Sequence, residues 1–506
     1  MAIKNSKIYF KNTFGNEIQE FKPINEHKVG MYHCGPTVYN QAHIGNISAY
    51  IFADILRRLF ETQDYQVTQV INITDVGHLT DDQDDGADKI EEASKKQNLT
   101  AVEISRKYTE LFLQDLQKLN IETNKIIFPR ATDHITEQIE LIKKIEAAGL
   151  TYQTSDGIYF DTSLYENYGQ LGNIDLKNLQ EGARVSINSE KKNPTDFALW
   201  KFSPKEEKRQ QEWESPWGIG FPGWHIECSA MSEKYLGKNF DIHTGGIEHI
   251  AIHHNNEMAQ SESANHERQA NYWLHTNHIT LDGQKMSKSL GNVLYLDDLI
   301  KSDINPMSFR YWYLTSKYNT PANFSMESVK ASQTALFKIV NFISSSGVLD
   351  SDSEKAASKK WFRLLKIINK SSSSEKIDQK YYSAILAELN HDLNTPKAIA
   401  LIWELIKDDS ISQDKKVWTI IEADKILGLN LKVLATNQPR LGDQQILNSE
   451  TQIPTQIVEM AKERQLAREN KNFTEADRLR SEISEAGYEI IDQTDNKQSN
   501  FIILKK

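Results

Sequence analysis

Cys34 and Cys228 are the only cysteines in this 506-residue chain, and each lies in a dense run of unusual residues, MYHCGPTVYNQAHIGN and FPGWHIECSAM. Twenty-five positions after Cys228 comes His253-His254-Asn255-Asn256-Glu257. His253 and Glu257 stand at i and i+4, so on a helix they project from one face toward a shared point. Two thiolates, an imidazole and a carboxylate can make a four-ligand zinc site. Taken singly, each feature has an ordinary explanation: a lone cysteine is commonly an inert buried residue, and an HxxxE pair an ion pair on a solvated face. As a disulfide framework, however, two cysteines 194 positions apart are poor for a chain this long, and in a reducing compartment a metal role fits them better.

Two further motifs keep them company. His43-Ile44-Gly45-Asn46 follows Cys34 by nine residues, and Lys285-Met286-Ser287-Lys288-Ser289 lies some 240 residues further on, directly after LDGQ. HIGN alone reads as a strand-to-helix turn, and KMSKS alone as a basic exposed loop. In this order the pair resembles the HIGH and KMSKS signatures of the class I aminoacyl-tRNA synthetases. The cysteines, PGWHIECSAM and HHNNE narrow the resemblance to the cysteinyl-tRNA synthetase family. It extends over nearly the whole chain, from GMYHCGPTVYN to ERQLARENKNFTEADRLRSEISEAGYEI.

The resemblance implies ATP-dependent ligation of L-cysteine to tRNA(Cys) through a cysteinyl-adenylate. Activation is attack of a carboxylate on the α-phosphorus of ATP, so cationic and N–H donors must meet the charge that builds on the phosphate oxygens. The resemblance gives that work to His43, Asn46, Lys285 and Lys288, with Gly45, Met286, Ser287 and Ser289 completing the ATP site. Lys288 would meet the departing pyrophosphate, Lys285 would assist, and Met286 would anchor the loop on apolar surface. Magnesium would accompany ATP. Gly35, Thr74 and Trp224 match substrate-binding positions, and Cys34, Cys228, His253 and Glu257 would hold one zinc per chain. An apolar pocket ranks cysteine against serine or alanine by only about 1 to 3 kcal/mol, whereas a metal that takes up the thiolate rejects an alcohol.

Three positions depart from the family pattern. Asn46 stands where the signature has histidine, and remains a hydrogen-bond donor. Glu248 replaces the aspartate expected before the histidine pair, and Phe501-Ile502-Ile503 replaces a Trp-bearing tail. A cysteine ligase acting on a small amine, in thiol biosynthesis, would share the zinc and ATP sites, but roughly 170 residues beyond the catalytic half argue against it. A non-catalytic RNA-binding paralogue would be betrayed by loss of a KMSKS lysine or a zinc ligand, and none is lost.

The elements that must carry these residues follow from periodicity. VGMYHCG reads as a strand, NISAYIFADILRRLFETQD as a helix and YQVTQVINITD as a second strand. That order predicts a parallel βαβ unit with ligands gathered at the carboxyl ends of the strands, where Cys34 and HIGN fall. After the acidic stretch TDDQDDGADKIEEASKKQ and the amphipathic AVEISRKYTELFLQDLQKLNI, a helix in IIFPRATDHITEQIELIKKIEAAG precedes a hairpin turned at Asp156-Gly157. NFDIHTGG is a strand feeding the HHNNEMAQSESANH helix, and YWLHTNHITLDG a strand feeding KMSKS. From about 305 the chain reads as helical, with Thr395 as N-cap and Pro396 in the first helical position of KAIALIWELIKD. A polar linker near TNQPRLGDQQ precedes a charged helix and a small hairpin of YEIID and NFIILKK.

The expected fold class is therefore α/β. The resemblance implies a Rossmann-type parallel-sheet catalytic domain (1–124 and 206–275) that carries a connective insertion (125–205). By the same resemblance it is followed by the KMSKS loop and stem-contact region (276–330), a helical tRNA-binding bundle (331–435) and a small C-terminal α+β anticodon-binding module (450–506). Basic residues Arg464, Arg468, Lys471, Arg478 and Arg480 alternate with acids there, as on a salt-bridged helix as much as on an RNA face.

A net charge of −11 requires tRNA phosphates to meet local Lys/Arg clusters, which favours a moderate-affinity, quickly released complex. The first residues hold no apolar signal-peptide core, and no run of about 18 apolar residues occurs anywhere. A cytoplasmic protein without a membrane partner is expected. It is also expected to be monomeric, for want of an apolar interface stripe.

Overall fold

The strand read at VGMYHCG is β1 (Lys28–His33), and the helix after it is α1 (Ile44–Thr62), which leads into β2 (Gln66–Ile71). The structure is a computed structural model. It describes residues 6–77, 79–81, 85–175, 189–204, 209–286, 291–349, 376–437, 454–470, 472–495 and 498–505. A short β3 (Ile126–Ile127) follows on the far side of β2. Much later in the chain come α2 (Trp224–Leu236), β4 (Phe240–Gly246), α3 (Asn255–Asn265) and β5 (Ala270–Thr276).

These five strands form one parallel sheet in the order β3-β2-β1-β4-β5. The chain winds outward one way from β1 and then the other way from β4. A crevice therefore opens between the carboxyl ends of β1 and β4, the usual ligand site of such a sheet. The central strands are buried along most of their length because they are covered on both faces, as parallel sheets require, although β4 carries Asp241, His243 and Thr244.

Between the two halves lies a four-stranded antiparallel sheet whose strands are Thr151–Gln153, Gly157–Phe160, Phe197–Phe202 and Gly220–Pro222. The expected hairpin is present, but its turn is Thr154 to Asp156, and Gly157 is already in the strand. Glycine is needed there for close approach: a Cβ would stand 2.4 Å from the Trp200 carbonyl oxygen.

Three other expectations need correcting. YWLHTNHITLDG is two strands, β5 and Ile279–Leu281, the latter pairing with Ala322–Phe324. In the helix Thr395–Lys407 the N-cap is Asn394, and Pro396 takes the second helical position. The Thr395 hydroxyl reaches the Ser316 carbonyl at 3.5 Å, so it does not cap its own helix. The charged C-terminal helix is two helices, Thr455–Glu469 and Phe473–Glu485, before the hairpin of Tyr488–Asp495 with Gln498–Lys505. The linker near TNQPRLGDQQ lies outside the described residues.

By packing, the chain divides into two compact units, Met1–Leu336 with Ser372–Leu429, and Phe337–Ser371 with Asn430–Lys506. In the first, helix Gln413–Leu427 packs on α1. Arg310, fully buried, stitches that contact: its guanidinium donates to Asp54 Oδ2 of α1 at 2.6 Å, to Leu427 O at 2.9 Å and to Leu119 O at 2.9 Å. The second unit has its own small core, built on Ile457, Ala461, Ile483, Tyr488 and Ile490.

Candidate functional site

Cys34 lies one residue beyond β1, and its N–H donates to Thr244 O of β4 at 3.2 Å, which sets it in the crevice between the two strands. Cys228 is on the first turns of α2, buried. Glu257 opens α3, while His253 sits in a π-helical segment, Ile250–His254, that leads into it. The helix expected across HHNNE thus begins with a wide turn, a feature common at functional sites. His253 Nε2 is still 3.0 Å from Glu257 Oε1.

One ligand atom from each of Cys34, Cys228, His253 and Glu257 falls within 4.8 Å of the others. Cys34, His243, His254 and Glu257 meet the same span. The first set suits zinc better because it has two thiolates. His254 Nε2 lies 3.2 Å from Cys34 Sγ and His243 Nε2 2.9 Å from Glu257 Oε2, while His225 Nδ1 meets His253 Nδ1 at 2.9 Å. Three of the four donors therefore have a histidine behind them, which fixes their orientation. From His254 Nδ1 the chain continues to His275 Nε2 at 2.7 Å, and from His275 Nδ1 to Thr13 Oγ1 at 2.7 Å.

The protonation pattern follows from burial and close contact. Burial, reinforced by the neighbouring Cys228 thiol, pushes the Cys34 thiol well above its ordinary value. The hydrogen bond with Cys34 draws the Cys228 thiol down to about 6, against the effect of burial. Burial opposes a charged His253, yet Cys228 and Glu257 hold its imidazolium up to about 10. Burial also works against the Glu257 carboxylate, and the histidines on either side, His243 and His253, overcome it and keep the carboxyl below its usual range. His254 and His275 are driven neutral by burial, and His249 falls to about 4, first from burial and then from the nearby His253.

A cavity of about 330 Å³ opens at Cys34, while Cys228, His253 and Glu257 lie behind its lining. Gly35 and Trp224 also line it, and so do His43, Gly45, Asn46 and Met286. Thr74 does not line it. It is buried in the strand continuation that pairs with Pro36–Val38, where its Oγ1 accepts from Asn72 Nδ2 at 2.9 Å. The Lys285 backbone pairs opposite Thr280, but its side chain, together with Ser287, Lys288 and Ser289, lies outside the described residues.

HIGN has a structural job as well as a place in the cavity. His43 is the N-cap of α1, its Nδ1 accepting the Asn46 N–H at 3.3 Å while Asn46 Oδ1 accepts the His43 N–H at 3.3 Å. This reciprocal box fixes the helix start. It also places the ring proton of His43 on Nε2, the donor that a phosphate oxygen would need. A Cβ on Gly45 would lie 3.0 Å from both the His43 ring and the Met286 methyl, so glycine lets the buried Met286 pack over the first turn.

Glu248, which the sequence marks as a departure from the family pattern, is the one carboxylate among the described residues lining the cavity, and its Oε2 is 3.6 Å from His278 Nδ1. The sequence reading passed over several other residues that the fold brings here. His225, His243, His249 and His275 come from separate segments, and no local spacing links them. Asn72 was within reach, two residues before Thr74 in INITD.

Comparison with known proteins places the chain in a family. A family model described as tRNA synthetases class I (C) catalytic domain matches residues 20–334. Among curated proteins, a Burkholderia lata protein named cysteine–tRNA ligase 1 is 42% identical over 488 residues, 96% of this chain and 95% of its own. The cysteine–tRNA ligase of Treponema denticola is 41% identical, over 95% of this chain and 97% of its own. Among solved structures, Mycobacterium tuberculosis methionyl-tRNA synthetase in complex with methionyl-adenylate aligns with a TM-score of 0.53 at 15% identity, covering 80% of this chain and 90% of its own. A ternary complex of Agrobacterium radiobacter LeuRS with tRNA and LeuAMS aligns with a TM-score of 0.56 at 11% identity, covering 83% and 86%. At such identities the structural likeness speaks to the fold alone.

Proposed function

Because the chain belongs to the cysteine–tRNA ligases of the class I tRNA synthetase family, we propose that it joins L-cysteine to tRNA(Cys) at the expense of ATP, through a cysteinyl-adenylate. The observation that carries this reading is the single cavity shared by Cys34, with the donor cluster around it, and by the HIGN turn. One end offers soft donors for a thiol-binding metal, and the other a helix start suited to phosphate.

Cys34, Cys228, His253 and Glu257 are the residues that would hold zinc. A zinc ion there supplies a site that favours a thiolate over an alcohol, which separates cysteine from serine. Glu248 is the carboxylate available to the substrate ammonium, one methylene longer than the aspartate the family pattern has there. Gly246 makes room for it, since a Cβ on that glycine would come within about 2.4 Å of the Glu248 carboxylate oxygens. Trp224 closes the wall beside His253, their rings 4.7 Å apart. His43 Nε2–H and Asn46 face the phosphates, and Lys285 and Lys288 join them as pyrophosphate leaves, with magnesium carried in on ATP. The 2'-hydroxyl of the terminal tRNA adenosine then attacks the adenylate, a reactive mixed anhydride for which proximity does much of the work.

The helical segment 331–435 and the module 450–506 are assigned to the tRNA stem and anticodon, read through phosphates and stacked unpaired bases. The protein is expected to act as a cytoplasmic monomer; among the described residues no helix is long and apolar enough to cross a membrane.

Attachment of labelled cysteine to total tRNA, with serine as control, tests the proposal. Cysteine charging without serine charging is the expected result. Cysteine-dependent pyrophosphate exchange without charging would redirect the search to a small amine acceptor, and the absence of both would overturn the reading.

A further inference from the structure

β1 and β2 pair residue for residue as far as His33 opposite Ile71. Their continuations pair again where Thr74 N–H donates to Pro36 O and Val38 N–H to Thr74 O, each at 3.1 Å. Between these runs the ladder breaks, and one side chain bridges the gap. Asn72, only 1% exposed, accepts the Gly35 N–H on Oδ1 at 2.7 Å and donates from Nδ2 to Thr74 Oγ1 at 2.9 Å. The two backbones run so close here that a Cβ on Gly35 would stand 1.5 Å from the Asn72 carbonyl oxygen.

Ladder breaks of this kind bend a strand and re-aim the neighbouring side chain. The neighbour here is Cys34, whose Sγ is turned into the donor cluster, 3.7 Å from Glu257 Oε1. We propose that Asn72 is a positioning residue for recognition of the cysteine side chain, holding the Cys34–Gly35 and Thr74 strand ends at one spacing. The proposal rests on reading the cavity as a cysteine pocket. An amide suits this place because it accepts and donates at the end of one short arm. Aspartate keeps the acceptor for Gly35 and loses the donor for Thr74, while alanine removes both and leaves the buried ends without their partner. On this assignment the effect falls on the amino acid and spares ATP, whose expected contacts at His43 and Asn46 lie on α1.

The test uses the full chain loaded with zinc and carrying N72A or N72D. Cysteine-dependent ATP–pyrophosphate exchange yields kcat and separate KM values for cysteine and ATP, and metal analysis gives the zinc content. Absorption spectra of the cobalt-loaded proteins report the sulfur-to-metal bands of Cys34 and Cys228, which shift when either thiolate is re-aimed. For N72A the cysteine KM is expected to rise about tenfold or more, the scale of one lost buried hydrogen bond. A smaller rise is expected for N72D. In both, the ATP KM should stay within about twofold of the parent, zinc content should be unchanged, and the cobalt bands should shift. A cysteine KM within about twofold of the parent with unmoved cobalt bands would overturn the assignment. So would a parallel rise of both KM values, which marks a general loss of structure. Should N72A fail to fold, N72D decides by the same split. A parent without cysteine-dependent exchange would instead refute the pocket itself, whereas an active parent with indifferent variants refutes only the role of Asn72.

Discussion

At the scale of single residues, the donor cluster makes two predictions. Cys228→Ser replaces a proposed thiolate ligand by a hydroxyl, so zinc content and cysteine-dependent exchange should fall together, the latter by about 100-fold or more. Metal analysis beside the exchange assay checks this, and full activity without zinc would refute metal-based selection. The second prediction concerns protons. Before metal binds, His253, with a value of about 10, and Cys34, well above its ordinary value, are both protonated at pH 7.5, whereas Cys228 at about 6 is mostly ionised. Zinc needs a neutral imidazole and thiolates, so uptake at this pH should release about two protons. Affinity should then rise with pH by about 100-fold per unit, and more steeply below about pH 6, where Cys228 adds a third proton. Calorimetric titration in buffers of different ionisation enthalpy measures the number. No proton release would mean that a different donor set holds the metal.

At the scale of elements, α1 is the part that joins the active site to the rest of the first unit. Its N-terminus is the His43–Asn46 box and its C-terminal half carries Asp54, Arg57 and Arg58. Asn46→Ala removes one arm of the box, which should cost about 0.5 to 2 kcal/mol in denaturant unfolding and raise the KM for ATP more than that for cysteine. Asp54 is fully buried, and although burial opposes its charge, Arg310, Arg58 and Arg57 hold its carboxyl below the ordinary 3.8. A carboxyl lowered in the folded state contributes stability above its unfolded value and loses it as pH falls through the folded one. Asp54→Ala at pH 7 leaves the fully buried Arg310 guanidinium without its carboxylate and should destabilise by about 3 to 5 kcal/mol. A loss under 1 kcal/mol by chemical denaturation would show that the arginines find water or other partners. HIGN itself was plain in the sequence, because a turn before an apolar-periodic helix is a local signal. That histidine and asparagine cap each other was not, because the box depends on the backbone angles at residue 43.

At the scale of the whole molecule, the small C-terminal core of Ile457, Ala461, Ile483, Tyr488 and Ile490 is self-contained. A chain ending at Asn437 should therefore keep cysteine-dependent exchange while its KM for tRNA rises about tenfold or more, with a weaker salt dependence. Loss of exchange in that truncated chain would tie the module to the chemistry itself. The sequence alone determined the family and the βαβ start and singled out the four candidate donors with their two companion motifs, because each is written in residues close together or in types too rare to be neutral. It could not decide what depends on contacts between remote segments. The order β3-β2-β1-β4-β5 brings Cys34 from one half of the sheet against Cys228, His253 and Glu257 from the other. The same winding gathers His225, His243, His254 and His275 behind the donors, buries Thr74 away from the cavity, and sets Asn72 across the broken ladder. Those relations are set by strand order and register, which arise only when distant segments pack.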